Sequence, residues 1–191
     1  MSSRTYRIVR TDDTGVLTSF YCGIKDMDAF IHNDIKGLKH YIDLGLTNLW
    51  VVYKEDLPVA FFALSKSALI LNYYDREELE RNNAYIDDDI YKTKDSYPAI
   101  EIDYLAVDKR YRKEGIGQDI LALISERAAQ DDFSATLFLT VNSLHTQAYS
   151  AVSFYSKCGF KESEYGKIRS YNNEFNDTTP TTMLMYKPIK W

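Results

Sequence analysis

Leu105-Ala106-Val107-Asp108-Lys109-Arg110-Tyr111-Arg112-Lys113-Glu114-Gly115-Ile116-Gly117-Gln118 is the stretch that decides how this chain is read. An apolar strand ends at Val107, a short basic loop follows, and a helix opens at a Gly-x-Gly. The first turn of a helix has backbone N–H groups without intrahelical partners and carries the positive end of the dipole. Glycines there let the backbone approach an anion with no Cβ in the way. Arg112 and Lys113 add cationic charge beside the same turn, a combination that suits a pyrophosphate. The spacing is not that of a Walker A loop, which needs Gly-x-x-x-x-Gly-Lys-Ser/Thr. Nor do two glycines at mid-chain make a dinucleotide fingerprint.

Working outward, Ala99 to Val107 reads as a long strand leading into the turn. Gly115 to Gln130 reads as an amphipathic helix, with Ile116, Ile120, Leu123, Ile124 and Ala128 on one face. Ala135 to Val141 is an almost continuous apolar run, as expected of a strand buried on both faces. Thr146 to Cys158 is predicted as a second helix with Gly159 at its C′ position, and Thr182 to Tyr186 as a last strand. Upstream, Thr5 to Arg10 is a first strand, and Gly23 to Gly45 shows helical spacing broken at Gly37, giving two short helices. Asn48 to Tyr53 and Val59 to Leu64, joined by a turn over Lys54 to Pro58, form an antiparallel hairpin. The order predicts an α/β protein with a mixed sheet.

The 191 residues suit a single domain, 1–191, and 45% hydrophobic residues with a net charge of -5 suit a globular chain. That balance argues against a strongly basic nucleic-acid surface. Two cysteines, Cys22 and Cys158, are too few for a disulfide scaffold. The start carries no apolar signal segment, and the longest apolar stretch is too short to span a bilayer, so a cytoplasmic protein without a membrane partner is expected. His32, His40 and the cysteines form no ligand spacing, so no metal is predicted. Residues from about 72 to 98 form an acidic insertion: Asp75, Glu77, Glu78, Glu80, Asp87, Asp88, Asp89 and Asp95 face only Arg76, Arg81, Lys92 and Lys94. A solvated helix and loop account for it, and an acidic rim attracting a cationic substrate is the functional alternative.

Leu-Ala-Val-Asp followed by Arg112-x-x-Gly115-x-Gly117 resembles the pyrophosphate loop of the GNAT family of N-acetyltransferases. A second match, Ala151-Val152-Ser153-Phe154-Tyr155-Ser156-Lys157-Cys158-Gly159-Phe160, is similar to the family's Phe/Leu-Tyr-x-Lys-x-Gly-Phe helix. Phe20-Tyr21-Cys22-Gly23 with Asp28, Phe30 and Ile31, and Ala60 to Ser65, resemble the branch that holds bacterial toxin acetyltransferases, whose members acetylate aminoacyl-tRNA. The resemblance implies a mixed, mostly antiparallel central sheet flanked by helices. It also implies transfer of the acetyl group of acetyl-CoA, a cosubstrate, to an amine by direct attack.

Carried over residue by residue, the resemblance assigns cofactor binding to Leu105, Ala106, Val107, Arg112, Lys113, Glu114, Gly115, Ile116, Gly117 and Gln118. Ala148 stands where many relatives have an asparagine, so that cofactor contact is either missing or comes from Gln147 or Asn142. Tyr155 sits where the family places the tyrosine that protonates, or hydrogen-bonds, the leaving sulfur; a buried helical aromatic is otherwise core. Glu101 lies at the offset of a general-base glutamate found in some members, with Asp103 in reserve and an ordinary solvent-facing carboxylate as the bland alternative. His145 is better read as surface, and Cys158 as a packing residue, than as chemistry. A primary amine is the expected acceptor. Charged tRNA is the alternative, to be met by Arg4, Arg7, Arg10, Lys109, Arg110, Arg112 and Lys113. A non-catalytic acetyl-CoA-binding module is the other class of function, and a homodimer is compatible with either.

Overall fold

The computed structural model describes residues 6–81, 96–132, 134–146, 148–164, 167 and 182–189. The middle of the acidic insertion, with Asp87, Asp88, Asp89, Lys92, Lys94 and Asp95, lies outside the described residues. So do Arg4, Gln147 and the side chains of Glu78, Glu80 and Arg81.

Among the described residues are seven strands and five α-helices. The strands are β1 Arg7–Thr11, β2 Asn48–Lys54, β3 Leu57–Leu69, β4 Tyr97–Val107, β5 Phe138–Leu144, β6 Lys161–Glu162 and β7 Thr182–Pro188. The helices are α1 Lys25–Ile31, α2 Leu38–Asp43, α3 Tyr73–Arg81, α4 Ile116–Ala129 and α5 Val152–Lys157. The sheet order is β1-β2-β3-β4-β5-β7-β6. The pairs β1–β2, β2–β3, β5–β7 and β6–β7 are antiparallel, and β4–β5 is parallel. This is the mixed, mostly antiparallel α/β sheet expected from the sequence.

The chain divides into two units, one of Met1–Ser65 with Ile102–Leu123, the other of Lys66–Glu101 with Ile124–Trp191. In the first, the β2–β3 hairpin turns at Glu55, in the left-handed region at φ 58, and Asp56, so that Lys54 pairs with Leu57. Leu17, Phe20, Leu38, Leu49, Val51 and Phe61 bury there as one core, with the Phe20 and Phe61 rings edge to face at 5.3 Å. Gly37 separates α1 from α2 for a steric reason: a Cβ there would stand 2.1 Å from the Phe30 carbonyl oxygen and 2.3 Å from that of Asn33. In the second unit Leu69, Leu71, Leu79, Tyr97, Phe138 and Tyr186 form the core.

Two elements differ from the sequence expectation. β5 begins at Phe138 rather than Ala135 and continues through Asn142-Ser143-Leu144, because β7 supplies antiparallel partners as far as Leu144↔Thr182. α5 begins at Val152 rather than Thr146. There the Thr146 hydroxyl donates to the Tyr149 carbonyl and accepts from the Tyr149 N–H, both at 3.0 Å, while His145 bridges Ser150. A side chain that satisfies the local backbone in this way competes with helix formation.

Candidate functional site

The predicted pyrophosphate turn lies within the first unit. Asp108, 1% exposed, anchors it. Its N–H donates to the Val59 carbonyl at 2.9 Å. Its carboxylate accepts the Arg110 N–H at 2.9 Å, the Arg110 guanidinium at 2.8 Å on each oxygen, and the Tyr21 N–H at 3.4 Å. Burial pushes this carboxyl upward, but the Arg110 side chain and the backbone donors outweigh it, and Asp108 titrates below the usual carboxylate range. The result is a 3₁₀ turn over Lys109–Tyr111, which the sequence did not announce. Lys109 adds a second tie, its N–H donating to the Tyr21 carbonyl at 2.9 Å.

Arg110 is therefore committed to its own loop. Glu114 meets Lys54 at 3.6 Å. Arg112 and Lys113 are exposed, and neither has an ion-pair or side-chain hydrogen-bond partner among the described residues. The backbone takes left-handed values at Lys113, φ 67, and Gly115, φ 84, while Arg112 before them is extended at φ -64, ψ 154. Tight turns with left-handed residues are the kind of backbone from which anion-binding concavities are built. α4 follows at once. The Gly115 carbonyl accepts the Asp119 N–H at 3.0 Å, which leaves the N–H groups of Ile116, Gly117 and Gln118 as the unpaired first turn. Leu105, Ala106 and Val107 end β4 immediately before the turn. Asp119, in the first turn of α4, is the one acidic residue there.

The α1 approach is fixed by Asp28, whose carboxylate accepts the Cys22 N–H at 2.7 Å and the Gly23 N–H at 2.9 Å. Cys22 is buried, which pushes its thiol up to about 11, with Asp28 adding to the shift. Asp103 accepts hydroxyl donors from Thr47 at 2.5 Å and Ser65 at 2.9 Å.

The second unit carries Tyr155, Glu101 and Asn142. α5 is short but firmly ended. The Gly159 N–H reaches the Ser156 carbonyl and the Phe160 N–H the Tyr155 carbonyl, both at 3.1 Å, with Gly159 at φ 87. This is a Schellman ending, and its customary apolar contact is the Tyr155–Phe160 ring pair at 5.4 Å. Tyr155 is 6% exposed, also touches Phe154 at 5.1 Å, and its hydroxyl has no hydrogen-bond partner among the described residues. Burial, reinforced by Tyr149 and Cys158, raises its phenol well above the ordinary range. Cys158 is half-buried, and its thiol is likewise raised by burial, with Lys187 opposing.

Glu101 ends the parallel ladder that joins Ala99–Glu101 to Phe138–Thr140. One carboxylate oxygen accepts the Asn142 amide N–H at 2.8 Å, the other the Ser67 hydroxyl at 3.1 Å. Glu101 and Asn142, predicted for different roles, are thus in direct contact. Ser67 was not singled out from the sequence; its place in the long strand β3, opposite an acidic strand, was the available signal. His145, in the loop after β5, bonds the Ser150 hydroxyl at 2.9 Å. No group of three or more His, Cys, Asp or Glu among the described residues could hold a metal ion. No described helix is long and apolar enough to cross a membrane.

The description of the acetyltransferase (GNAT) domain matches residues 46–162, well over half the chain. Solved structures sharing the fold include a bacterial toxin at 14% identity and TM-score 0.66, covering 97% of this chain and 92% of that one. AtaT complexed with acetyl-methionyl-tRNAfMet aligns at 15% identity and TM-score 0.63, over 96% and 95% of the two chains. A tyrosine mutant of AtaT bound to the C-terminus of the antitoxin AtaR and to acetyl-CoA aligns at 15% and 0.63, over 97% and 94%. At such identities the likeness is one of fold. None of the curated protein sequences matches this chain.

Proposed function

Since the chain belongs to the acetyltransferase (GNAT) family, we propose that it is an N-acetyltransferase moving the acetyl group of acetyl-CoA to a primary amine, with the whole chain acting as one domain. The observation that carries this reading is the turn before α4, with left-handed Lys113 and Gly115, and with two cations and three N–H groups that have no partner among the described residues. A pyrophosphate would be held by the N–H groups of Ile116, Gly117 and Gln118, with Arg112 and Lys113 beside it and Glu114 tied back to Lys54. The pantetheine amides would meet the backbone of Leu105, Ala106 and Val107 at the end of β4. The acetyl thioester supplies the electrophile.

A free amine is required for attack, so Glu101 is proposed to take the ammonium proton, directly or through a water. Backbone N–H groups of β4 would polarise the thioester carbonyl. Tyr155, a phenol and therefore protonated at neutral pH, would donate to the departing thiolate. Its lack of a hydrogen-bond partner supports that role, since a phenol already committed would have to give up a bond first.

The test is calorimetric and kinetic. Gly117→Glu, which adds bulk and negative charge at the anion site, is expected to abolish acetyl-CoA binding, and unchanged affinity would overturn the placement. Thiol release with an amine panel identifies the acceptor class. Wild type that binds acetyl-CoA and acetylates nothing would instead support a non-catalytic binding module.

A second reading, acetylation of charged tRNA, is supported by the fold likeness to AtaT, solved with acetyl-methionyl-tRNAfMet. Charged tRNA therefore belongs in the panel, and a neighbouring gene for a small DNA-binding antitoxin would favour this reading.

A further inference from the structure

We propose that Ser67 and Asn142 are positioning residues that hold the Glu101 carboxylate in the orientation needed to accept the amine proton, an inference that rests on the N-acetyltransferase reading with Glu101 as base. Three strands supply the three residues: β3 Ser67, β4 Glu101 and β5 Asn142. The register explains the meeting. Glu101 pairs with Thr140 in the parallel ladder, and strand alternation returns Asn142, two residues on, to the same face.

A half-buried carboxylate on a strand ordinarily takes its hydrogen bonds from water. Here each oxygen is claimed by a separate side-chain donor, Asn142 Nδ2 at 2.8 Å on Oε1 and Ser67 Oγ at 3.1 Å on Oε2. Two donors from opposite sides remove the rotation of the carboxylate plane. Each oxygen has two lone pairs, so one remains on each for a further proton. Both donors are neutral. They orient the charge without cancelling it, whereas a lysine or arginine in either place would make an ion pair and weaken the base. Asn142 spends its amide N–H on Glu101, which is the function of a group that aligns a base.

The proton balance is simple. The ammonium gives its proton to the free lone pair of Glu101, the amine nitrogen bonds to the acyl carbon, and the carbon–sulfur bond breaks. Tyr155 supplies the proton to the thiolate and regains one from the second proton that the acylated nitrogen must lose, directly or through water, while Glu101 returns its own to solvent.

The test measures kcat and the KM for acetyl-CoA in Ser67→Ala and Asn142→Leu, each alone and in a Glu101→Gln background, with melting temperatures as the folding control. Each single variant is expected to lose about tenfold to a hundredfold in kcat, the scale of a misaligned catalytic group, with KM for acetyl-CoA within about twofold of wild type. Ser67→Thr and Asn142→Gln, which keep the donors, should restore most of it. In Glu101→Gln the same substitutions should cost nothing further, the signature of residues acting through one partner. A rise in acetyl-CoA KM at unchanged kcat in Asn142→Leu would overturn the proposal and make Asn142 a cofactor contact. Equal losses with and without Glu101 would also overturn it. Full activity in Glu101→Gln would remove Glu101 as base and the clamp with it. Wild type inert toward every amine would overturn the enzymatic reading itself, a separate result from any of these.

Discussion

Tyr155 is 6% exposed, burial raises its phenol above the ordinary range, and like any phenol it carries its proton at neutral pH. Tyr155→Phe is therefore expected to lower kcat by about 10²-fold or more, in the range of general-acid losses, with acetyl-CoA affinity by calorimetry nearly unchanged. The same group makes a prediction about stability. Tyr155 and Cys22 both hold their protons more tightly folded than unfolded, Cys22 to about 11. Their contribution is intact below the unfolded values, about 8.5 for a thiol and about 10 for a phenol, and is lost as the pH rises through the folded ones. Melting temperature should fall above about pH 9, and Tyr155→Phe should flatten that alkaline limb; an unchanged limb would refute the burial argument. What could be read at this scale was identity, not commitment. Arg110 and Arg112 look alike in the sequence, but a buried Asp108 takes the first and leaves the second, and no spacing rule reports which cation is already paired.

Among the elements, two glycines serve for different reasons, and substitution separates them. Gly159 sits at φ 87, where a new Cβ would meet only Lys187 carbons at 3.6 Å and 3.9 Å, an ordinary contact. Gly159→Ala should therefore cost only the left-handed penalty, about 1 to 2 kcal/mol. Gly37 has an ordinary negative φ of -99, yet its Cβ would collide with two backbone carbonyls. Gly37→Ala should cost more than Gly159→Ala, at or beyond the upper part of the 1–3 kcal/mol scale of overpacking. Denaturant titration of both variants decides the order, and the reverse order would contradict the steric account. Gly37 as the helix break, Gly159 as the cap and the turn before α4 were legible because glycine placement is local chemistry. The start of α5 was not. Periodicity extends the helix to Thr146, whereas the hydroxyl bonds of Thr146 to Tyr149 keep those residues out of it. The polar end of β5 escaped for the converse reason: its partners on β7 are 38 to 42 residues away in the chain, from Leu144↔Thr182 to Asn142↔Leu184, and only pairing makes it a strand.

For the whole molecule, the net charge of -5 leaves the acceptor question to local cations. Arg7 meets Asp56 at 3.8 Å and lies over the Tyr53 ring, Arg10 bonds Asn48 at 2.7 Å, and Arg110 is held by Asp108. Of the basic residues considered for tRNA that lie among the described residues, Lys109, Arg112 and Lys113 remain uncommitted. Acetyl-CoA would engage Arg112 and Lys113, so three phosphate contacts are an upper bound, with a log–log salt slope no steeper than about -2 to -3. If charged tRNA is the acceptor, its KM should then change by no more than roughly fortyfold between about 50 and 200 mM salt, not the 10³–10⁵ of a large phosphate interface. A steeper slope would reveal a basic surface beyond this set. Phe160 ends α5 through its N–H and braces the Tyr155 ring through its side chain. In a saturation map scored by growth or turnover, substitutions at Phe160 will resemble active-site lesions although the residue meets no reactant. Scoring abundance alongside activity is what will tell a collapsed helix end from a misaimed phenol.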